Sequence, residues 1–153
     1  MQEILLDLTK PLTDMQLTSD VDIKGIFKGK GNENIDNKFR LIHNGKGIHS
    51  RIHFKVVLNQ QDQFKIEPII EVAKGSKGTD TYLKVEVLLL GDNFRAEVIP
   101  SLEIKENEVK AGHGATISKI NKDHLYYLLS RGLSAKQAEI VLIKAFLEEP
   151  QDE

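Results

Sequence analysis

The chain has no cysteine among its 153 residues. This absence excludes disulfides, thiolate-held zinc, cysteine nucleophiles and a self-sufficient cysteinyl iron–sulfur centre. Any metal here must be held by His, Asp or Glu. There is no excess of positive charge either: 21 Lys and Arg face 23 Asp and Glu, a formal net charge of −2. No electrostatic reason for a nucleic-acid or membrane-surface partner follows from that balance. Long apolar runs are missing, since a stretch such as Val87-Leu88-Leu89-Leu90 falls far short of the ~20 residues that cross a bilayer. The acidic start, Met1 to Asp7, lacks the basic-then-apolar order of a secretory signal. These absences together predict a cytoplasmic protein. Gly29-Lys30-Gly31 lacks the spacing and the Ser/Thr of a phosphate-binding loop, so ATP hydrolysis is not expected in this chain.

What is present is a globular composition, 40% hydrophobic and 29% charged, of a length that suits one domain. Turn-forming clusters recur about every 15 residues, among them Gly29 to Asn32, Asn44 to Gly47, Asn59 to Asp62, Gly75 to Gly78 and Gly91 to Asn93. Between them lie segments of period-two alternation such as Ile52-His53-Phe54-Lys55-Val56, the pattern of a strand with one buried face. Two segment types repeat. Ile66 to Val72 matches Val98 to Ile104 with Pro68 aligned on Pro100, and Ile52 to Leu58 matches Leu83 to Leu89. Two strand types recurring at nearly one distance is the signature of a solenoid with two strands per coil. An antiparallel sandwich of strands that merely share β-propensity accommodates the same pattern. Pro68 and Pro100 are expected at strand entries or corners, because proline lacks the ladder donor.

From Asn121 onward the grammar is helical. Asn121 can cap a helix from Lys122 to about Arg131 with Leu125, Leu128 and Leu129 on one stripe, and Gly132 suits the left-handed stop. Ser134 with Gln137 reads as a capping box for a second helix, whose expected apolar face is Ala138, Val141, Leu142, Ala145 and Phe146.

The run Gly112-His113-Gly114-Ala115-Thr116-Ile117, followed by Leu125-Tyr126-Tyr127-Leu128-Leu129-Ser130-Arg131-Gly132-Leu133 and Ala145-Phe146, resembles the C-terminal signature of the SufB/SufD family of the SUF iron–sulfur cluster assembly system. Leu88 to Asp92 and Ile99 to Ile104 are similar to the same family's last coils. The resemblance implies a mainly β fold: a right-handed parallel β-helix of about three to four coils over residues 1–118, closed by a two-helix hairpin over 119–153. It implies a non-catalytic platform whose β-helix pairs with a SufB-like paralogue and whose hairpin docks a SufC-like ABC ATPase; the unpaired edge or uncovered coil end of a short β-helix separately predicts a dimer, with itself or with a longer paralogue. No intrinsic cofactor is implied; iron or an iron–sulfur cluster would be held transiently at a subunit interface. Three departures stand out. The SufB-type scaffold cysteine would fall at Val85; His113 lies between glycines, the SufD-type pattern, rather than between acids; and family members are usually far longer.

His113 is accordingly the leading candidate for metal or cluster handling, with Glu103 and Glu108 as carboxylates that could complete a site. The alternative is a corner histidine flanked by glycines for backbone reasons and two solvated strand charges. Tyr126, Tyr127, Arg131 and Phe146 are candidates for docking the ATPase, since aromatics dominate interface energetics; Arg131 equally suits the C-terminal dipole of its helix. His49 and His53, four apart, share a strand face, with His43 in the preceding segment. Two imidazoles on one strand face could hold a metal, but His49 and His53 are expected to be a solvent-exposed pair, and His124 a surface residue. Two further readings remain open: an iron-binding scaffold using His113 and carboxylates, and a stand-alone solenoid serving as an interaction module.

Overall fold

In the computed structural model, which describes residues 1–92 and 95–148, each stretch of alternation is a strand. The order is β1 (Gln2–Asp7), β2 (Met15–Leu17), β3 (Val21–Lys28), β4 (Asn34–His43), β5 (His49–Leu58), β6 (Gln63–Val72), β7 (Asp80–Leu89), β8 (Arg95–Val98), β9 (Ser101–Ile104) and β10 (Lys110–Lys119), followed by α1 (Lys122–Ser130) and α2 (Ala135–Glu148). Successive strands do not pair. The chain alternates between two sheets: β1-β3-β5-β7-β10 form one, and β2-β4-β6 the other, with β8 and β9 both on the far side of β6. Each of these pairings is parallel. The result is a β-solenoid of about three turns, and not the sandwich.

Like residues stack through the coils, as a solenoid requires. Ile4, Ile23, Ile52 and Leu83 occupy one inward row, with Ile52 opposite Leu83. Four phenylalanines fill the space between the sheets, Phe27 against Phe64 at 5.6 Å between centroids and Phe39 against Phe54 at 6.1 Å. All four are buried, each contributing roughly 1.5–3 kcal/mol. Gly25, opposite Phe54, leaves the room that ring needs: a Cβ there would stand 2.8 Å from it.

The registers Ile66 to Val98 and Ile69 to Ser101 set Pro68 opposite Pro100, as the repeat predicts. Pro100 falls between β8 and β9, at the entry to β9 as expected, whereas Pro68 lies mid-strand in β6. The ladder explains both. Ile99 and Lys105 donate to Ile66 and Val72 of β6, so alternate residues of β6, Pro68 included, face β8 and β9. Pro68 has no N–H to give there, and the last coil's strand is interrupted opposite it. Pro100 faces away from β6, toward the open edge.

Side chains close the corners. Buried Asp62 accepts from the N–H groups of Gly31 (3.0 Å), Glu33 (2.9 Å) and Asn59 (2.7 Å). Over the first coil, Leu8 is buried, and Asn37 accepts from the Leu12 N–H at 3.0 Å while donating to the Lys10 carbonyl at 3.1 Å.

The hairpin follows its caps. Asn121 accepts from Asp123 and His124, Gly132 has φ 92°, and Ser134 and Gln137 exchange hydrogen bonds at 2.9 and 3.1 Å. Ala138 is buried and Phe146 packed as expected, but the rest of the contact face is shifted from the expected stripe. Ile143, Phe146 and Leu147 pack on Val57, Leu88 and Leu90, while Val141 is exposed. α2 lies against the outer face of the β5 and β7 sheet, where Val57 and Leu88 break the polar alternation.

Candidate functional site

His113 lies in β10, paired with Leu83, and so ends the inward row Ile4, Ile23, Ile52, Leu83. It is nevertheless exposed, because after β10 the chain turns into the hairpin rather than laying another strand across the core. Ile104 and Ile117 are open at the same end, 41% and 48% exposed.

β10 is an edge strand ten residues long. Lys110 donates to Thr79, so the even-numbered residues bond to β7, and the N–H and C=O groups of Ala111, His113, Ala115, Ile117 and Lys119 face the open edge. The strand carries no proline and no acidic side chain, the devices that ordinarily blunt an edge besides lysine. Its two lysines stand at its ends.

The glycines beside His113 have a steric purpose, not the conformational one expected, and neither has positive φ. On the face opposite His113 the ring of Tyr82 lies over them. A Cβ on Gly112 would stand 3.1 Å from the ring, and one on Gly114 would stand 2.8 Å from the phenol oxygen. An aromatic packed over strand glycines restores the cross-strand contact they lack and pins register.

The carboxylates expected beside His113 are engaged elsewhere. Glu103 is on the other sheet, held by the Arg40 guanidinium with Nη2 to Oε1 at 3.2 Å; Arg40 also binds Glu71 at 2.8 Å, and Lys105 binds Glu71 at 2.7 Å. Arg40 holds the Glu103 carboxyl below the usual range, and Lys105 with Arg40 does the same to Glu71. Glu108 pairs with Lys77 at 2.9 Å. Among the described residues no three His, Asp or Glu side chains are grouped to hold a metal.

The other histidines separate. His43 is a satisfied core residue: Nδ1–H donates to the Glu71 carbonyl at 3.1 Å, and Nε2 is 2.7 Å from Ser50 Oγ, itself 2.6 Å from Thr81 Oγ1. Burial holds its pKa below the ordinary value. His49 is exposed near Asp20. His53 is on the outer face as expected but is buried, not solvated, and Nε2 hydrogen-bonds the Glu86 carboxylate. Burial lowers the His53 pKa against the pull of Glu86. Burial also raises Glu86, but hydrogen bonds from His53 and Lys84 outweigh it and hold the carboxyl below its usual value. The pair is thus a neutral imidazole donating to a carboxylate.

On the hairpin, Tyr126 and Tyr127 are exposed, and Arg131 stacks on the Tyr127 ring at 5.3 Å. Arg131, Leu133, Gln137, Ile140 and Val141 line a shallow groove, with Ile140 55% exposed. Phe146 is turned inward, its ring under Lys55 and its carbonyl accepting from Lys55 Nζ. Sequence reasoning missed Tyr82 and Lys55. The apolar outward positions Val57 and Leu88 were the available signal for a covered face around Lys55; nothing in the pattern singled out Tyr82.

Comparison with known proteins gives the family. Residues 12–146 match the family described as SUF system FeS cluster assembly, SufBD core domain. The SufD iron–sulfur cluster assembly protein of Escherichia coli is 32% identical over 118 residues, 77% of this chain and 28% of that protein. SufD of Bacillus subtilis is 29% identical over 126 residues, 82% and 29% of the respective chains. An iron–sulfur cluster assembly SufBD family protein of Mycobacterium leprae is 30% identical over 122 residues, 80% and 14%. The chain therefore spans under a third of the length of these relatives. With its parallel solenoid, terminal hairpin and Gly-His-Gly edge strand, this chain belongs to the SufBD family of iron–sulfur cluster assembly proteins.

Proposed function

We propose that the chain is a non-catalytic, SufD-like platform of an iron–sulfur cluster assembly system in the cytoplasm. The edge of β10 takes up a strand from a SufB-like paralogue or a second copy, and the outer face of the hairpin docks a SufC-like ABC ATPase. The observation that supports this reading best is the unprotected ten-residue edge at the end of the solenoid where the inward row is left open. The exposed groove around Ile140 supports the second surface. Iron or a nascent cluster is cargo in this reading. His113 supplies one imidazole at the open end, and a partner chain supplies the remaining ligands.

Tagged chain purified from its own cells tests the proposal. A SufC-like ATPase and a SufB-like protein, or a second copy, co-purify. Ala115→Pro removes an edge-facing N–H without touching the β7 ladder, and abolishes strand pairing alone. Ile140→Asp abolishes ATPase recovery alone. Recovery of neither partner class and a monomeric mass at micromolar concentration would overturn the proposal.

A further inference from the structure

Of the asparagines in the chain, Asn44 alone is followed by glycine. That dipeptide is chemically labile, because the amide nitrogen of the second residue can attack the asparagine Cγ and a glycine puts no Cβ in its way. Gly45 is small for reasons of packing: its φ is not positive, and a Cβ on it would stand 3.1 Å from the Ile48 side chain. The corner does not need asparagine at 44 either. The Asn44 N–H donates to the Leu17 carbonyl at 2.9 Å, and one coil later the residue that donates in the same way, to the His43 carbonyl, is Ala73. Asn44 is exposed, and among the described residues its side-chain amide makes no hydrogen bond.

What is held is the backbone on either side of it. Ser76, fully buried at the next corner, accepts from the Gly45 N–H at 3.1 Å and donates to the His43 carbonyl at 3.0 Å. One hydroxyl thus spans Asn44. Ser76 is itself fixed, its N–H on the Ala73 carbonyl at 3.1 Å and its own carbonyl accepting from Thr79 Oγ1 at 2.8 Å. Attack requires the Gly45 nitrogen to lose its proton, and in the closed corner that N–H points into a buried hydroxyl rather than toward solvent base. Chemistry at this nitrogen is therefore confined to moments of local opening, whose frequency follows the free energy of opening.

We propose that Asn44-Gly45 is a deamidation site held shut by Ser76, so that conversion occurs only when the corner between β4 and β5 opens. Water is the one co-reactant. Hydroxide takes the Gly45 proton, the nitrogen bonds to Cγ of Asn44, the Cγ–Nδ2 bond breaks, and Nδ2 leaves as ammonia with a proton from water, which regenerates the hydroxide. Water then opens the cyclic imide at either carbonyl, to aspartate or isoaspartate; nothing is oxidised or reduced. Both products add a negative charge where the chain leaves the core. Isoaspartate also adds a main-chain carbon, which displaces the Asn44 N–H and the His43 carbonyl from their partners on the neighbouring coils, Leu17 and Ala73. The site lies outside β10 and the hairpin and stands whether or not those surfaces dock partners.

The full chain is incubated at mildly alkaline pH, folded and in parallel in denaturant, and peptide mapping by mass spectrometry with isoaspartate-resolving fragmentation follows each asparagine. In the denatured chain Asn44 converts first. In the folded chain it converts more slowly, and Ser76→Ala, which removes both hydrogen bonds, raises the folded rate on the order of tenfold while the other asparagines keep the parent's rates. In the parent, graded urea below the unfolding transition raises the Asn44 rate and the hydrogen exchange of the Gly45 amide together, a measurement that needs no variant to fold. Failure of Asn44 to lead in the denatured chain would overturn the site. Equal rates in the folded and denatured parent, or an Asn44 rate that ignores urea while Gly45 exchange rises, would overturn the restraint. An unchanged Asn44 rate in Ser76→Ala, or acceleration at every asparagine alike in a variant that remains folded, would overturn the role of Ser76.

Discussion

Lys55 Nζ donates to the carbonyl of Phe146 at 2.6 Å and lies 5.5 Å from the centre of that residue's ring. Phe146 stands in the last turn of α2, where helix carbonyls have no partner within the helix. A lysine from the outer face of β5 thus serves as the end cap of the hairpin, placed where a cation suits the helix dipole.

Replacing it tests how the hairpin is held. Lys55→Met leaves the part-buried Phe146 carbonyl without this donor and costs about 1 kcal/mol. The loss is local: amides of 135–148 exchange faster by hydrogen-exchange mass spectrometry while those of β5 and β7 keep their protection. Unchanged exchange in α2 would contradict the capping role.

Asp62 holds a corner. Asp62→Ala removes the acceptor of three backbone N–H groups, for a loss of about 3 kcal/mol or more and a fall in Tm of roughly 10 °C. Asp62→Asn, which keeps one acceptor oxygen, falls less. Thermal melts followed by far-UV circular dichroism separate the three proteins.

Acid destabilises the fold through two neutral histidines. The folded-state pKa values of His43 and His53 both lie below 6.5. As pH falls through about 6.5 the unfolded chain takes up protons that the folded chain does not, so stability is complete above that pH and is lost toward the folded values. Denaturant titrations at pH 7.5 and 5.5 show the drop, and it is smaller in His43→Asn with His53→Gln. The carboxylates Glu71, Glu86 and Glu103, held below 4.5, add a second loss of the same sign at lower pH.

Pro68→Ala restores an N–H facing the break between β8 and β9. The new amide at position 68 becomes protected, and the amides around Ile99 and Ser101 exchange more slowly than in the parent chain. Rapid exchange of the position-68 amide would contradict the ladder assignment.

Much of this was legible because a solenoid writes its geometry into spacing. The match of Ile52 to Leu83 and of Pro68 to Pro100 is the register itself, and the caps at Asn121 and Ser134 act locally, within three residues. What failed depended on contacts between segments far apart. His53 alternates with Ile52 and Phe54 and so reads as solvated; its burial comes from Glu86 on the next coil. The stripe assigned to α2 included Val141 because period alone does not say which flank of an amphipathic helix meets a sheet. Glu103 and Glu108 are near His113 in sequence, yet the coil sends Glu103 to the opposite sheet. The glycines around His113 signalled something special there, but the cause, Tyr82, sits about thirty residues away at one solenoid repeat.

The hairpin rests on β5 and β7, and β10 is hydrogen-bonded along its whole length to β7. The seat of α2 and the free edge of β10 therefore belong to one continuous hydrogen-bonded sheet: α2 is seated on β5 and β7 through Val57, Leu88 and Lys55, and β10 is the next strand over, so a change in the seating of α2 is felt one strand away from the rim.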